Sequence, residues 1–344
     1  MPFSTTSKTT LIPPGDVNDA TGKRLAAPFP YFGGKSRAAP MILPRYGQAG
    51  NYVEPFCGSL AMLLAQPAGR RVETVNDTNG FIVNFWRSIQ AEPERVAQWS
   101  DWPVAELDLE ARHAWLVNRT ERLRWCLQDP DYHDPKIAGW WVWGACIWIG
   151  SGWCLGDGPW VSNGVELFDR RKGLNPGDAE IGIKRSLPHL GNAGMGLNRR
   201  LPAIGDPGRR KYILKWFKSL SRRIRDVRIT CGDWERVLTD SVTVRHGVTA
   251  VFLDPPYRAP CVAKGLYAQE GDASQGVDAW CLANGDNPKL RVALCGYAGE
   301  HVLPGWTEVV GKATNGGYGS AAGNTNHRRE RIWFSPHCVG GSNV

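Results

Sequence analysis

The stretch from Asn51 to Asp77 constrains the fold of this chain more than any other. NYVE is a short β-prone run, PFCGS a tight turn, and LAMLLAQ the start of a helix. VETV is a second β-prone run, and it ends on Asn76-Asp77. Strand, turn, helix, strand and a closing acidic residue make the opening unit of a doubly wound α/β sheet. FIVNFWRSIQ then continues as a helix, and β-prone runs return late in the chain as VRITC, TAVFL, LRVALC and RIWFS. The expectation is one α/β, Rossmann-like domain with a long insertion between its second and third core strands.

The parts follow from where the pattern changes. Residues 1–27 are polar with Pro13-Pro14-Gly15 and form a flexible tail; residues 339–344 form a second tail. Residues 28–90 and 226–338 carry the sheet pattern. Residues 91–225 carry helical segments such as EARHAWLVNRTERLRWC, then IAGWWVWGACIWIGSGWC, then a Gly/Asn-rich basic segment. Seven of the sixteen tryptophans fall between Trp125 and Trp160, a density that suits a packed core better than a reading surface.

Composition narrows the function classes. The 344 residues carry a net charge of +8, which favours an anionic partner such as nucleic acid. Nine cysteines include no C-x-x-C pair and no zinc spacing, so reduced thiols and no metal are expected. The longest apolar stretch, from Ile137 to Gly150, is too short to span a bilayer, and MPFSTTSKTT has no signal-peptide core. A soluble cytoplasmic protein is the expectation.

The chemistry-bearing stretch is VFLDPPYRA, residues 251–259. Two prolines end the strand because neither can donate to a sheet ladder, and proline restrains the residue before it. Asp254 and the Pro255 carbonyl are thereby held as rigid acceptors, with Pro256 stiffening the turn and Tyr257 offering a flat ring. The bland alternative is a proline turn after a strand.

The first turn indicates the ligand of the sheet. Asp77 stands 19 positions after Gly58, where such folds bind ribose hydroxyls, and a carboxylate can accept from both. A pyrophosphate would need several glycines at a helix start, and PFCGSLAM has one. That suits adenosine carrying an amino acid and no phosphate, namely S-adenosylmethionine. GGKS at 33–36 is not a P-loop, since Phe29 stands where the first glycine would be. Gly33 and Gly34 instead allow close backbone approach, with Lys35 facing a ligand carboxylate or else solvated.

YFGGK, VEPFCGS, VND and DPPY, in that order, resemble the Dam-like (class alpha) DNA adenine-N6 methyltransferases, with details similar to phage-type members. The resemblance spans roughly residues 28–338. It implies a methyltransferase sheet with an inserted, mainly helical target-recognition region. It implies cofactor contacts from Tyr31, Gly33, Gly34, Lys35, Glu54, Phe56, Gly58, Asp77, Asp233 and Asp254. Catalysis would rest on Asp254, Pro255, Pro256 and Tyr257, with a target adenine flipped from double-stranded DNA. The family turn often reads F-x-G-x-G, and here Leu60 replaces the second glycine. A bacterial or phage-infected cell is the implied setting, and any restriction endonuclease would be a separate chain.

Eleven Lys/Arg lie between Arg199 and Arg228, opposed only by Asp206 and Asp226. Arg199, Arg200, Arg222, Arg223 and Arg225 are candidates for DNA phosphates, and Arg328 and Arg329 for a second DNA-facing loop. The alternative is a solvated helix face. Two other functions remain open from sequence: a methyltransferase for cytosine N4, RNA or a modified base, and a non-catalytic nucleic-acid-binding protein on the same core.

Overall fold

The computed structural model describes residues 25–31, 35–69, 71–148, 153–154, 160–162, 167–169, 207–256, 273–311 and 329–340. Its strands are β1 (Asn51–Glu54), β2 (Val72–Asp77), β3 (Trp160–Ser162), β4 (Leu167–Asp169), β5 (Arg228–Cys231), β6 (Thr249–Leu253), β7 (Leu290–Tyr297), β8 (Thr307–Val310) and β9 (Glu330–Phe334). Seven of them form one sheet in the order β5-β2-β1-β6-β7-β9-β8. The pairs from β5 to β7 are parallel, while β9 runs antiparallel to both β7 and β8. β3 and β4 make a separate antiparallel pair.

The strand order reverses between β1 and β6. From β1 the chain moves to β2 and β5 on one side; β6 then returns to the other side of β1 and leads on to β7. Chains diverging at such a point leave a crevice at the carboxyl ends of the two strands. Glu54 and Asp254 stand at those two ends.

Alternation along the strands builds a core on each face. Tyr52, Ala250, Phe252, Ala293 and Cys295 face one layer; Val53, Val251, Leu253, Val292 and Leu294 face the other. Both sets are buried, so β6 reads as a continuous apolar run. The first layer holds α1 (Ala39–Ile42), α2 (Ala61–Leu64), α3 (Gly80–Ala91), α4 (Pro93–Ser100), α5 (Glu106–Val117), α6 (Thr120–Cys126), α7 (Pro135–Ile147) and α8 (Pro207–Ile224). The second holds α9 (Ala273–Asn284) and the turn at 234–237.

Local signals explain the longer helices. The Asn79 side chain caps α3 by accepting from Phe81 N and Ile82 N, and Asp134 caps α7 ahead of Pro135 at the first helical position. The tryptophan-rich helix α7 packs on α3 and α4, with Trp141 and Trp143 buried. Ile137, Ala138, Trp141 and Val142 share one apolar cluster with Leu60 and Trp86. Arg112 lies among the rings of Trp102, Trp140 and Trp143, 4.2–5.0 Å from their centroids. The helices after residue 91 therefore continue the core of the sheet's first face.

Candidate active site

The site is built at the carboxyl edge of the sheet, from β2 inward. Asp77 ends β2, 7% exposed, and each carboxylate oxygen takes a backbone N–H: Gly58 N at 2.9 Å and Asn79 N at 2.8 Å. Burial pushes its carboxyl up to about 6, against the pull of those N–H groups. The Thr78 N–H also acts on this carboxylate, and its two oxygens keep acceptor capacity beyond these backbone groups, as ribose hydroxyls would require. Asn76 ties the neighbouring strand ends together. Its amide donates to Pro55 O (3.1 Å) and Gly232 O (2.9 Å), its own carbonyl accepts from Cys57 N, and Thr230 Oγ1 donates to its side chain.

The β1 turn is moulded by close contact. Gly58 has φ +42°, and a Cβ there would collide with the Tyr31 ring. Trp86 Nε1 donates to Gly58 O at 2.9 Å. Leu60 occupies the left-handed region at φ +53° while fully buried. A residue with a side chain is strained there by about 1–2 kcal/mol. Burying the whole leucine returns a comparable or larger amount, so the chain keeps a side chain where a glycine would relax the backbone. Phe56 and Trp234 stack with centroids 6.0 Å apart, and this brings the β1 turn against the turn after β5. Asp233 is exposed there and caps that turn by accepting from Glu235 N.

Across the crevice, Asp254 directly follows β6 and meets Lys35. Lys35 Nζ is 3.0 Å from Asp254 Oδ1 and 4.0 Å from Glu330 Oε1. Lys35 is 6% exposed, which rules out a solvated loop lysine. Burial alone would lower its basicity, but the negative charge of Asp254 and of Glu330 outweighs it and holds the ammonium above its ordinary range. Its ammonium faces the protein's own carboxylates, where the sequence suggested the carboxylate of a ligand. Glu54 is buried at the end of β1 and accepts from Tyr52 Oη at 2.8 Å. Burial pushes its carboxyl up to about 8, so it is largely protonated near neutrality.

The structure thus gathers Tyr31, Lys35, Glu54, Phe56, Gly58, Asp77, Asp233, Asp254, Pro255 and Pro256 along one edge. Gly33, Gly34, Tyr257, Arg199, Arg200 and Arg328 lie outside the described residues. Two residues of this edge went unnoticed from sequence as site members. Asn76 was visible only as part of VND, and Glu330 carried no signal, because its neighbours in space come from the far end of the chain.

The basic candidates separate. Arg223 is buried and bidentate on Glu73, at 2.8 and 3.0 Å, and donates to Gln66 O and Leu63 O. The expectation of a phosphate contact there is corrected: an internal carboxylate already holds that guanidinium. Arg225 is exposed beside Asp226 at 3.6 Å, and Arg329 lies exposed over the Tyr297 ring. Gln90 donates to the carbonyls of Ile224, Arg225 and Val227, just before β5 begins. The C-terminal end of α8 therefore lies at the sheet edge opposite Asp77 and Asp254. Arg222 instead lines a groove of about 590 Å³ between α4 and α8, together with Lys211, Lys215 and Lys218.

Among the described residues, no helix is long and apolar enough to cross a membrane, and no cluster of three or more His, Cys, Asp or Glu is placed to hold a metal ion. Comparison with curated proteins finds no match. Residues 31–107 match the family described as D12 class N6 adenine-specific DNA methyltransferase. That span contains the Tyr31–Lys35 loop, the β1 turn and Asp77, and the sheet beyond it places Asp254 across the crevice. Over that span the chain is similar to the D12 class of N6 adenine-specific DNA methyltransferases, enzymes that move a methyl group to adenine in DNA.

Proposed function

We propose that the methyl donor is S-adenosylmethionine and that the Asp254–Tyr257 turn receives a flipped adenine. The observation that carries this reading is the position of Asp254 at the reversal point of the sheet, across the crevice from the Gly58–Asp77 turn. The residues fit the cofactor: Asp77 and Asp233 for hydroxyl and amine donors, Phe56 and Trp234 as flat apolar faces, and Gly58 letting the Tyr31 ring close against the turn. S-adenosylmethionine, when bound, supplies a methyl group on a positively charged sulfur.

This chain's residues then act on the base. An exocyclic amine is a weak nucleophile because its lone pair is delocalised into the ring. Asp254 and the Pro255 carbonyl accept its two N–H groups and favour a lone pair aimed at the methyl. Pro256 stiffens the turn, and Tyr257 stacks on the base. Positioning and fixed electrostatics supply the acceleration, with no covalent enzyme intermediate. Extruding the base costs a few kcal/mol, offset by stacking and by phosphate contacts.

Those phosphate contacts are assigned to the outer face of α8. Lys211, Lys215, Lys218 and Arg222 recur at helical spacing on one stripe, opposed in the groove by Glu94, which pairs with Lys218 at 3.0 Å. Both partners of that pair are half exposed, so it competes weakly with DNA. Residues 91–225 are proposed as the region that selects the target sequence.

Sequencing that detects N6-methyladenine, applied to DNA from cells expressing this chain, tests the reading. Methylated adenine in a fixed sequence context is expected, absent when Asp254→Asn is expressed. Methyl groups found on cytosine N4, or in RNA alone, would overturn it.

A further inference from the structure

Lys35 is shared by two carboxylates, and the reaction proposed above uses only Asp254. Glu330 opens β9, paired across from Tyr297 at the carboxyl end of β7. Its side chain is 18% exposed and Asp254's 19%, so the three charges meet largely out of water. Burial raises the Glu330 carboxyl, Lys35 opposes that shift, and the nearby Asp254 charge adds to it. Among the described residues, the Cys295 thiol and Glu54 also lie within electrostatic reach of Lys35 or Asp254, and burial holds both toward the neutral form. On its own strand, Glu330 is followed by Arg331, which pairs with Glu308 at 3.1 Å. Among the described residues, the cluster sets one cation between two anions.

An ammonium seated on Asp254 weakens that carboxylate as an acceptor for the adenine amine. The same ammonium drawn toward a second anion leaves Asp254 stronger. We propose that Glu330 is a positioning residue for methyl transfer, sharing Lys35 so that the ammonium moves toward Glu330 as the target amine docks on Asp254. The shift asked of Nζ is small, since it already lies 3.0 Å from one carboxylate and 4.0 Å from the other. No proton is transferred and no bond is broken in this step; only the share of one charge changes. Without Glu330, the ammonium loses the carboxylate that draws it away from Asp254.

The inference rests on the reading of Asp254 as amine acceptor, and the experiment separates the two. Single-turnover methylation of saturating duplex DNA is measured across pH for Glu330→Gln, Glu330→Asp and Asp254→Asn, with DNA affinity and melting followed alongside. Glu330→Gln is expected to slow transfer roughly 10- to 100-fold, the scale of a misplaced reacting group, with unchanged DNA affinity. The acidic limb of its rate profile should move to lower pH, because a like charge beside Asp254 has been removed. Glu330→Asp keeps the charge, so its limb stays in place and much of the rate returns. A Glu330→Gln enzyme at wild-type rate, or slow with an unmoved limb, overturns the inference, as does Glu330→Asp being as slow as Glu330→Gln. If Glu330→Gln fails to fold, Glu330→Ala carries the same two readings, slowed transfer and a limb moved to lower pH, and a wild-type rate or an unmoved limb in it overturns the inference. A fully active Asp254→Asn would instead remove the reading beneath it.

Discussion

Two carboxylates stand at the ends of two strands on either side of β1, and they are held in opposite ways. Asp77, on β2, is bound by the backbone N–H groups of Gly58 and Asn79. Asp254, on β6, is bound by the side-chain ammonium of Lys35. Backbone dipoles move only if the turn moves, so Asp77 and the β1 turn form one rigid piece. A lysine on a flexible stem can shift between partners, so Asp254 can change its acceptor strength without moving. One side of the crevice is built to hold a ligand in place, the other to respond to one.

The comparison breaks most sharply at Asp254. Asp254→Asn replaces one acceptor oxygen by a donor facing Lys35 and the amine. Loss of about 10²–10³-fold in single-turnover methylation is expected, on the scale of removing one transition-state hydrogen-bonding group. Melting within a few degrees of wild type would show that the loss is chemical; a rate within threefold of wild type would end the acceptor role.

Asp77→Ala tests the rigid side. Two backbone N–H groups lose their acceptor, costing about 3 kcal/mol of stability, together with weaker donor binding. Urea unfolding and calorimetry with S-adenosylmethionine measure the two. Unchanged stability with lost binding would make Asp77 a ligand contact only, and the turn would need another explanation.

Glu54, between the two sides, gives the pH test. Its folded-state pKa of about 8 lies above the ordinary carboxylate value, so its contribution to stability is full at low pH and is lost as pH rises through about 8. Asp77, raised to about 6, titrates mostly below that window. Stability should fall by roughly 2–3 kcal/mol between pH 6 and pH 8, and Glu54→Gln should flatten the curve. A wild-type curve that is flat or rising over this range would contradict a buried, protonated Glu54.

The smallest effect separates the α4–α8 groove from the chain just beyond α8. Changing Lys211, Lys215 and Lys218 together to Gln should flatten the slope of log K against log salt for DNA by up to about 2–3. Arg225→Gln, beyond the groove and beside Asp226, should leave it nearly unchanged. Equal effects from both would mean that DNA is not held on the α4–α8 groove.

Much of the fold was legible in the chain because its signals are local. The strands β1 and β6 follow the β-prone runs residue for residue, and α3 covers the FIVNFWRSIQ run. β8 was not legible: TEVV alternates between half-buried and exposed positions at a sheet end and carries little apolar signal. The basic run was legible as a helix, but its facing was not. Arg222 and Arg223 are adjacent in sequence and point to a groove and to the core, because consecutive helical positions turn by about 100°.

By itself the sequence determined the order of β1, β2, β5, β6, β7 and β9, the rigid Asp254-Pro255-Pro256 turn, and the acidic end of β2. All of these rest on residue type and short spacing. Only the tertiary structure decided which charges meet. Lys35 lies 219 positions before Asp254 and 295 before Glu330 in the chain, and it reaches both because β6, β7 and β9 lie side by side. Strand order sets such contacts, and no local property of any one segment encodes it.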